Sequence, residues 1–333
     1  EVDPAAEVEP AAEVEPAAEV DPAAEVEQVV LEAFGSGFNV ELNCNPEFDK
    51  DGDNIPDDVH ANVYHQGVEG SIDLSYCNLE GLNLSNLELS GANISYSTLY
   101  GADLDNTNLS GADLSHSILY KANVSNTNFK YANLSYAKLS GDRIDLEGIH
   151  GDDSGSEFTA FDFTGTDLSY ADFNHAKLFD AILTDAIVRH TNFHHSNLSG
   201  VDLSNKDLTG TILTKTNLTN ANLTGVNLSG KDLTETILVG VDLSGKDLTG
   251  TILTGADLSN ANLIDANLTD ASLQNTDLRY TLLVDANLSN AVLTGADLSN
   301  AVLTGTILTG ADLENAVLTN VILNCVGHPI CVM

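Results

Sequence analysis

The chain has no Trp, one Met and only 6% aromatic residues. A large globular core ordinarily draws on more of both, so 333 residues do not imply two conventional domains here. Bases are scarce too: 12 Lys and Arg stand against 50 Asp and Glu, for a formal net charge of −38. So acidic a chain is a poor partner for a phosphate backbone, and direct nucleic-acid binding is not expected. No apolar run is long enough for a membrane-spanning helix, so no transmembrane segment is expected. No nucleophile has a base at a convincing spacing, and no Gly-rich phosphate loop follows a strand. The chain does not read as an enzyme. It begins at Glu1 and not at Met, which is consistent with removal of an upstream piece.

What is present is repetition. Residues 1–30 repeat EVDPAA or EVEPAA at a period of six, with ten acids and no base. Pro4, Pro10, Pro16 and Pro22 remove backbone donors and keep a helix from forming. The expectation is an extended, charged spacer, or a docking segment whose regularly spaced Val2, Val8, Val14, Val20 and Val26 lie along a neighbour. Residues 31–70 have ordinary complexity and read as a small N-terminal cap. From residue 71 to residue 324 a five-residue unit takes over, and residues 325–333 form a C-terminal cap.

Within that unit, a Leu, Ile, Val or Phe recurs every five residues from Leu74 to Ile144, and again from Phe158 to Leu323 in a frame shifted by one. The residue two places earlier is usually small, as at Ala92, Ala102, Thr107 and Ala112. A period of five fits neither a helix nor a flat strand. It fits a coil with four short sides whose small residue and leucine both point inward. Aromatic residues support the count independently, since Tyr76, Tyr96, His116 and Tyr136 lie at a spacing of 20, as do Tyr100 and Tyr120, and His175 and His195. If one turn takes 20 residues, each set stacks on neighbouring coils.

Units such as GADLS, NANLT and SNAVLTG resemble the pentapeptide-repeat family. The resemblance implies an all-β fold, a right-handed quadrilateral β-solenoid. The 15 units before the break and 34 after it would make about twelve coils, in a rod roughly 60 Å long at one inter-strand spacing per coil. A core of one leucine and one small residue per side has no need of Trp or Met. The break near residues 145–157 holds Asp145, Glu147, Asp152, Asp153 and Glu157 and reads as a solvated loop, with a second cation site or a kink as alternatives. Lys206, Lys231 and Lys246 fall on the inward small-residue position. A buried ammonium is costly unless paired. Each stem is expected to lie along the wall with its ammonium reaching a corner or an Asp; a central ion site is the alternative.

The sharpest chemical motif is FDKDGDNIPDD, from Phe48 to Asp58. Alternating carboxylates converge on a hard cation that takes six to eight oxygens. The motif is similar to the calcium-binding thrombospondin type 3 repeat, with Asn54 in place of the usual Gly. That resemblance makes Asp49, Asp51, Asp53 and Asp57 calcium ligands, with the Ile55 carbonyl and the adjacent Asp58 completing the candidate set. Calcium at extracellular levels, together with Cys44, Cys77, Cys325 and Cys331 as two possible disulfides at the two ends of the repeat, points to an extracellular or cell-surface protein. Cys77 could equally be a buried thiol, since it lies at an inward position.

Three functions remain open. The first is a structural protein that self-associates head-to-tail into a filament, sheath or surface layer, because the apolar VGHPICVM end has no long polar cap. The second is an acidic DNA mimic that binds DNA gyrase, by analogy within the family, with Asp257, Asp277 and Asp297 as a carboxylate ladder. The third is an adhesin or carbohydrate-binding protein that uses the Tyr ladder. Isothermal titration is expected to show calcium uptake by residues 31–75; an absence of uptake removes the metal site.

Overall fold

The computed structural model describes residues 43–44, 72–139 and 160–332. Each pentapeptide builds one side of a coil and one corner. At the corner the inward residue's carbonyl accepts a bond from the N–H three residues on: Ala102 to Leu99 at 3.0 Å, Ala261 to Leu258 at 2.9 Å. The residue before that donor has positive φ, 57° at Asn106 and 61° at Asn260, which makes the corner a type II turn. Gly, Asn and Asp suit this conformation, and the repeat supplies them at most corners. Tyr, His and Lys also occupy it, as at Tyr96, His116 and Lys215.

Successive coils lie in parallel register 20 residues apart, Asp73 bridging Asn93 and Asp297 bridging Val317. Two bonds fasten each side: the Leu74 N–H donates to the Asn93 carbonyl at 2.7 Å, and the Asn93 N–H donates to the Ile72 carbonyl at 2.9 Å. Four pentapeptides therefore close one turn, and the chain forms the expected β-solenoid. Inward leucines and alanines are buried along its length. Inward threonines satisfy their hydroxyls on carbonyls, either of the preceding coil, as when Thr107 Oγ1 donates to Leu84 at 2.7 Å, or of their own corner, as when Thr211 Oγ1 donates to Leu208 at 2.7 Å.

Among the described residues, strands longer than a single bridge occur only near the ends. β1 (Asn43–Cys44) pairs antiparallel with β2 (Cys77–Asn78), and β3 (Val302–Ile307) pairs parallel with β4 (Ile322–Val326). A 3-10 turn at Pro329–Val332 follows, tied back by the Cys325–Cys331 disulfide. Cys77 is also in a disulfide, and Cys44 lies directly opposite it in the β1–β2 pair. A free thiol at Cys77, the alternative left open by its inward position, is thereby excluded. No described helix is long and apolar enough to cross a membrane.

The two ends differ. At the first coil Leu74, Leu79, Leu84 and Leu89 are at most 3% exposed. At the last, Leu313, Leu318 and Leu323 are only partly buried.

The frame change is an insertion into a continuous ladder. Asn128 bridges Asp167, Asn133 bridges Asp172 and Lys138 bridges Lys177, so this one coil takes nearly twice the length of its neighbours. Ladder bonds persist across it, the Leu134 N–H donating to Asp172 at 2.6 Å and the Asp172 N–H to Ala132 at 2.8 Å, but no bridge joins Asn123 to Asp162 and the Asn126 N–H reaches Thr164 only at 3.4 Å. The inward position after Leu139 is taken by Phe163, fully buried. Ile144 and Phe158, which the repeat frame makes core residues, lie outside the described residues, as do the loop's acids. Around Phe163 the core becomes aromatic, with ring centroids 6.2 Å from Phe129 and 5.7 Å from Phe173.

None of the three inward lysines bonds to an Asp side chain; they take backbone carbonyls of the preceding coil, and for Lys231 one of these, Leu208, is the acceptor carbonyl of a corner. Lys206 Nζ donates to Ala186 at 2.9 Å and Lys246 Nζ to Val226 at 3.4 Å. Lys231 Nζ donates to the Leu208 carbonyl and to both oxygens of Thr211, at 3.3 and 3.1 Å. At most other positions, though not at Ala181 or Ala221, the equivalent carbonyl accepts the N–H of the residue in the next coil, as Val201 does from Asn222. The ammonium has taken that acceptor, and bridges to Asp207, Asn227 and between Ile212 and Asp232 are missing from the ladder. Burial holds all three ammoniums below the ordinary value of 10.5, against the pull of nearby Asp residues. The unfolded chain then binds more protons than the folded one as the pH approaches that value, so this contribution to stability rises with pH. Lys231→Thr would continue the inward Thr191, Thr211 and Thr251 column. It is expected to stabilise the fold by about 1 kcal/mol, the net worth of a hydrogen bond, and to lessen the alkaline rise. Thermal unfolding from pH 7 to 10 checks both.

Candidate functional site

The most organised surface feature is a column of rings at one corner. Tyr76, Tyr96, His116, Tyr136, His175 and His195 stack face to face, with successive centroids 4.9, 4.5, 4.8, 4.7 and 4.5 Å apart. Interplanar angles stay at or below 11°. By spacing alone the first four rings and the last two are separate sets. The insertion hides their union, because Tyr136 and His175 become neighbours only when the extra chain is looped out. A second, shorter column runs Tyr131, Tyr170, His190. It stops at Gly210, where a Cβ would fall 2.0 Å from His190 Nδ1.

These columns bear on the carbohydrate reading. A pyranose binds an aromatic ring by lying on its face, and inside the column each ring's faces are covered by its neighbours. What the column offers solvent is edges, so its geometry is that of a cross-strand staple. Each stacked pair contributes about 0.5–1.5 kcal/mol beyond area burial.

The histidines do not make a metal centre: among the described residues no group of three or more His, Cys, Asp or Glu could hold an ion. His194 Nδ1 lies 2.6 Å from Thr214 Oγ1, and its ring meets His195 edge-on at 4.7 Å. Burial, then His175, His194 and Lys215, push the His195 imidazole below its usual value, with Glu235 opposing. On the coils after His195 the column passes to charge, Lys215 pairing with Glu235 at 3.4 Å.

The carboxylate ladder of Asp257, Asp277 and Asp297 exists, each bridging the next. It is not the uniform acidic strip that mimicry of DNA requires. Arg279, which the spacing argument passed over, donates from Nε to both Asp277 oxygens at 2.9 Å and lies 4.0 Å from Asp297. Burial works to raise the Asp277 carboxyl, and the bonds from Arg279 outweigh it, leaving it lowered. Many other acids along the faces are spent in the same local way. Asp103, Asp113 and Asp172 each accept from an Asn one coil on, at 2.8, 3.0 and 2.9 Å.

An open depression of about 550 Å³ lies where Lys246 loosens the ladder, lined among others by Asn227, Asp242, Lys246 and Asp247. It holds no nucleophile–base pair. The calcium motif, Asp49, Asp51, Asp53, Ile55, Asp57 and Asp58, lies outside the described residues.

Comparison with known proteins agrees with the geometry. The model for pentapeptide repeats matches in eight copies, over residues 72–111, 107–141, 154–185, 191–230, 216–255, 232–263, 242–279 and 281–320. Among solved structures the chain is similar to HetL, a pentapeptide repeat protein involved in heterocyst differentiation regulation from the cyanobacterium Nostoc sp. strain PCC 7120. They share 25% identity over 77% of this chain and 91% of that one, with a TM-score of 0.27. It is also similar to QnrB1, a plasmid-mediated fluoroquinolone resistance protein, at 19% identity over 66% and 88% of the two chains, TM-score 0.27. A third is a pentapeptide repeat protein from the Arabidopsis thaliana thylakoid lumen, 25% identical over 35% and 71%, TM-score 0.19. At these scores the solved structures carry no argument about partner or activity. No curated protein sequence matches.

His116→Asn keeps a residue that tolerates the positive φ and removes the ring from the middle of the column. It is expected to cost about 1–2 kcal/mol, two stacked contacts, whereas His116→Tyr should be close to neutral. Denaturant unfolding of the two variants makes the comparison.

Proposed function

The chain belongs to the pentapeptide-repeat family, and from that premise we propose that it is a non-enzymatic structural rod that self-associates through its C-terminal end. One observation carries this reading. The core leucines of the last coil, Leu313, Leu318 and Leu323, are only partly buried, and Val317, Ile322 and Val326 beside them are 44%, 56% and 56% exposed. The first coil's leucines are covered. A solenoid end offers both apolar surface and unpaired ladder groups, which favours association. The 3-10 turn at Pro329–Val332 covers only part of it.

Because the two ends are unlike, contact between the open end of one copy and the N-terminal module of the next is heterologous and propagates as a filament. The β1 strand already occupies the first coil's edge at Cys77–Asn78, so the incoming end does not meet bare coil there. The disulfides and the calcium motif favour an oxidising, calcium-rich setting outside the cell.

Electron microscopy of the concentrated protein with calcium is expected to show filaments. Ile322→Glu, on the exposed rim of the end, should abolish them and leave a folded monomer. Closed dimers alone, with no longer species at any concentration, overturn the head-to-tail reading.

A further inference from the structure

Three successive interfaces between coils are only half closed. The interface running from Asp162–Ile182 to Lys177–Asn197 is bridged on all four sides, and so is that from Asp242–Asn262 to Asp257–Asp277. Each of the three interfaces between them keeps two bridges. One face has lost all of its own: Ile187 does not bridge Asp207, Asp207 does not bridge Asn227, and Asn227 does not bridge Asp247. The face directly opposite is intact, Asn197 bridging Asn217, Asn217 bridging Ile237 and Ile237 bridging Asp257.

The backbone bonds divide in the same way. On the intact face the N–H groups of Leu198, Leu218 and Leu238 donate to Asn217, Ile237 and Asp257 at 2.8, 2.7 and 2.7 Å. On the open face the equivalent N–H groups of Val188, Leu208 and Leu228, and those of Asp207, Asn227 and Asp247, have no hydrogen bond to another described residue. One corner bond per interface beside this face limits the opening: His190 to Thr209 at 2.8 Å, Asn205 to Thr224 at 2.8 Å and Gly230 to Thr249 at 2.9 Å. The core beneath stays closed, with Val188, Leu208 and Leu228 at most 3% exposed.

Lys206 and Lys246 stand inward on the open face, in a column that otherwise holds Thr, Ala and Val. Their ammoniums take the Ala186 and Val226 carbonyls, which the N–H groups of Asp207 and Asp247 would otherwise use. Each lysine is thus a wedge between its own coil and the preceding one, and the gap between Asp207 and Asn227 lies between the two wedges. The depression lined by Asn227, Lys246 and Asp247 opens on this face. In a solenoid each coil is held only by its neighbours, so interfaces that keep half of their bridges are where the rod yields first. The surviving bonds line the opposite side, so yielding takes the form of bending about that side.

We propose that residues 187–247 form a hinge in the rod. The rod bends about the Asn197–Asp257 side as the Ile187–Asp247 face widens and narrows, with Lys206 and Lys246 keeping that face unzipped. The proposal does not depend on self-association through the C-terminal end.

Distances between nitroxide labels on the full chain test it. One pair, on Ile187→Cys and Asn267→Cys, spans the open face; a second, on Lys177→Cys and Asp257→Cys, spans the opposite one. Both cover four inter-strand steps, roughly 19 Å. The open-face distance distribution is expected to be at least about twice as broad as the other, as for a hinge that populates several angles. Continuing the column with alanine, in K206A/K246A, should narrow it to the width of the opposite face. Amide exchange gives an independent reading: the Leu208 and Leu228 N–H groups should exchange at least about ten-fold faster than those of Leu218 and Leu238 in the same coils. Equal widths on the two faces of the parent, or equal exchange, would overturn the hinge. A K206A/K246A chain whose open face stays as broad as the parent's would overturn the part given to the lysines.

Discussion

The structure depends on a corner that must have positive φ every five residues. That backbone state turns the chain through a right angle's worth of direction within one pentapeptide, closing the turn with a single i to i+3 bond. It also fixes where the corner side chain points. Once the ladder locks coils at 20-residue register, every corner residue lies directly above its counterpart. Rings placed at such corners must stack. The six-ring column is therefore a consequence of corner geometry acting on Tyr and His, and it offsets part of the strain those residues bear at positive φ.

The same register explains how acidity is distributed. Outward positions form vertical columns, so like charges would pile up without relief. Asn alternating with Asp turns repulsion into a hydrogen bond between coils, and Arg279 performs the same service for Asp277 and Asp297. The net charge of −38 therefore overstates how acidic any one face is. It is concentrated instead at the N-terminal side, where residues 1–30 hold ten acids without a base. An acidic total is therefore weak evidence for imitation of nucleic acid.

Departures from the repeat have different consequences according to where they act. The insertion after Leu139 leaves three of the four sides bridged, because a coil needs only its inward residues and its backbone register, and Phe163 supplies the former. The inward lysines alter the ladder itself, since a cation inside the wall has only carbonyls to turn to. At the C-terminal end of the described ladder the inward leucines Leu313, Leu318 and Leu323 are only partly buried.

The period of five, the inward Leu and small residue, and the coil of four sides were all legible in the sequence. These follow from side-chain size and spacing alone, which repeat without interruption for long stretches. Lys206, Lys231 and Lys246 could be recognised as inward by the same count. Their acceptors could not, because a carbonyl 20 or more residues away becomes a neighbour only once coils stack. The union of Tyr136 with His175, the pairing of Lys138 with Lys177, and the place of Phe163 were likewise hidden, since looping out the insertion changes the distance between coil partners along the chain. Composition and spacing by themselves determined that this chain forms a solenoid with a leucine core. Only the tertiary structure decided which residues share a column and which end of the described ladder is less covered, because each of these depends on contacts between residues far apart in sequence.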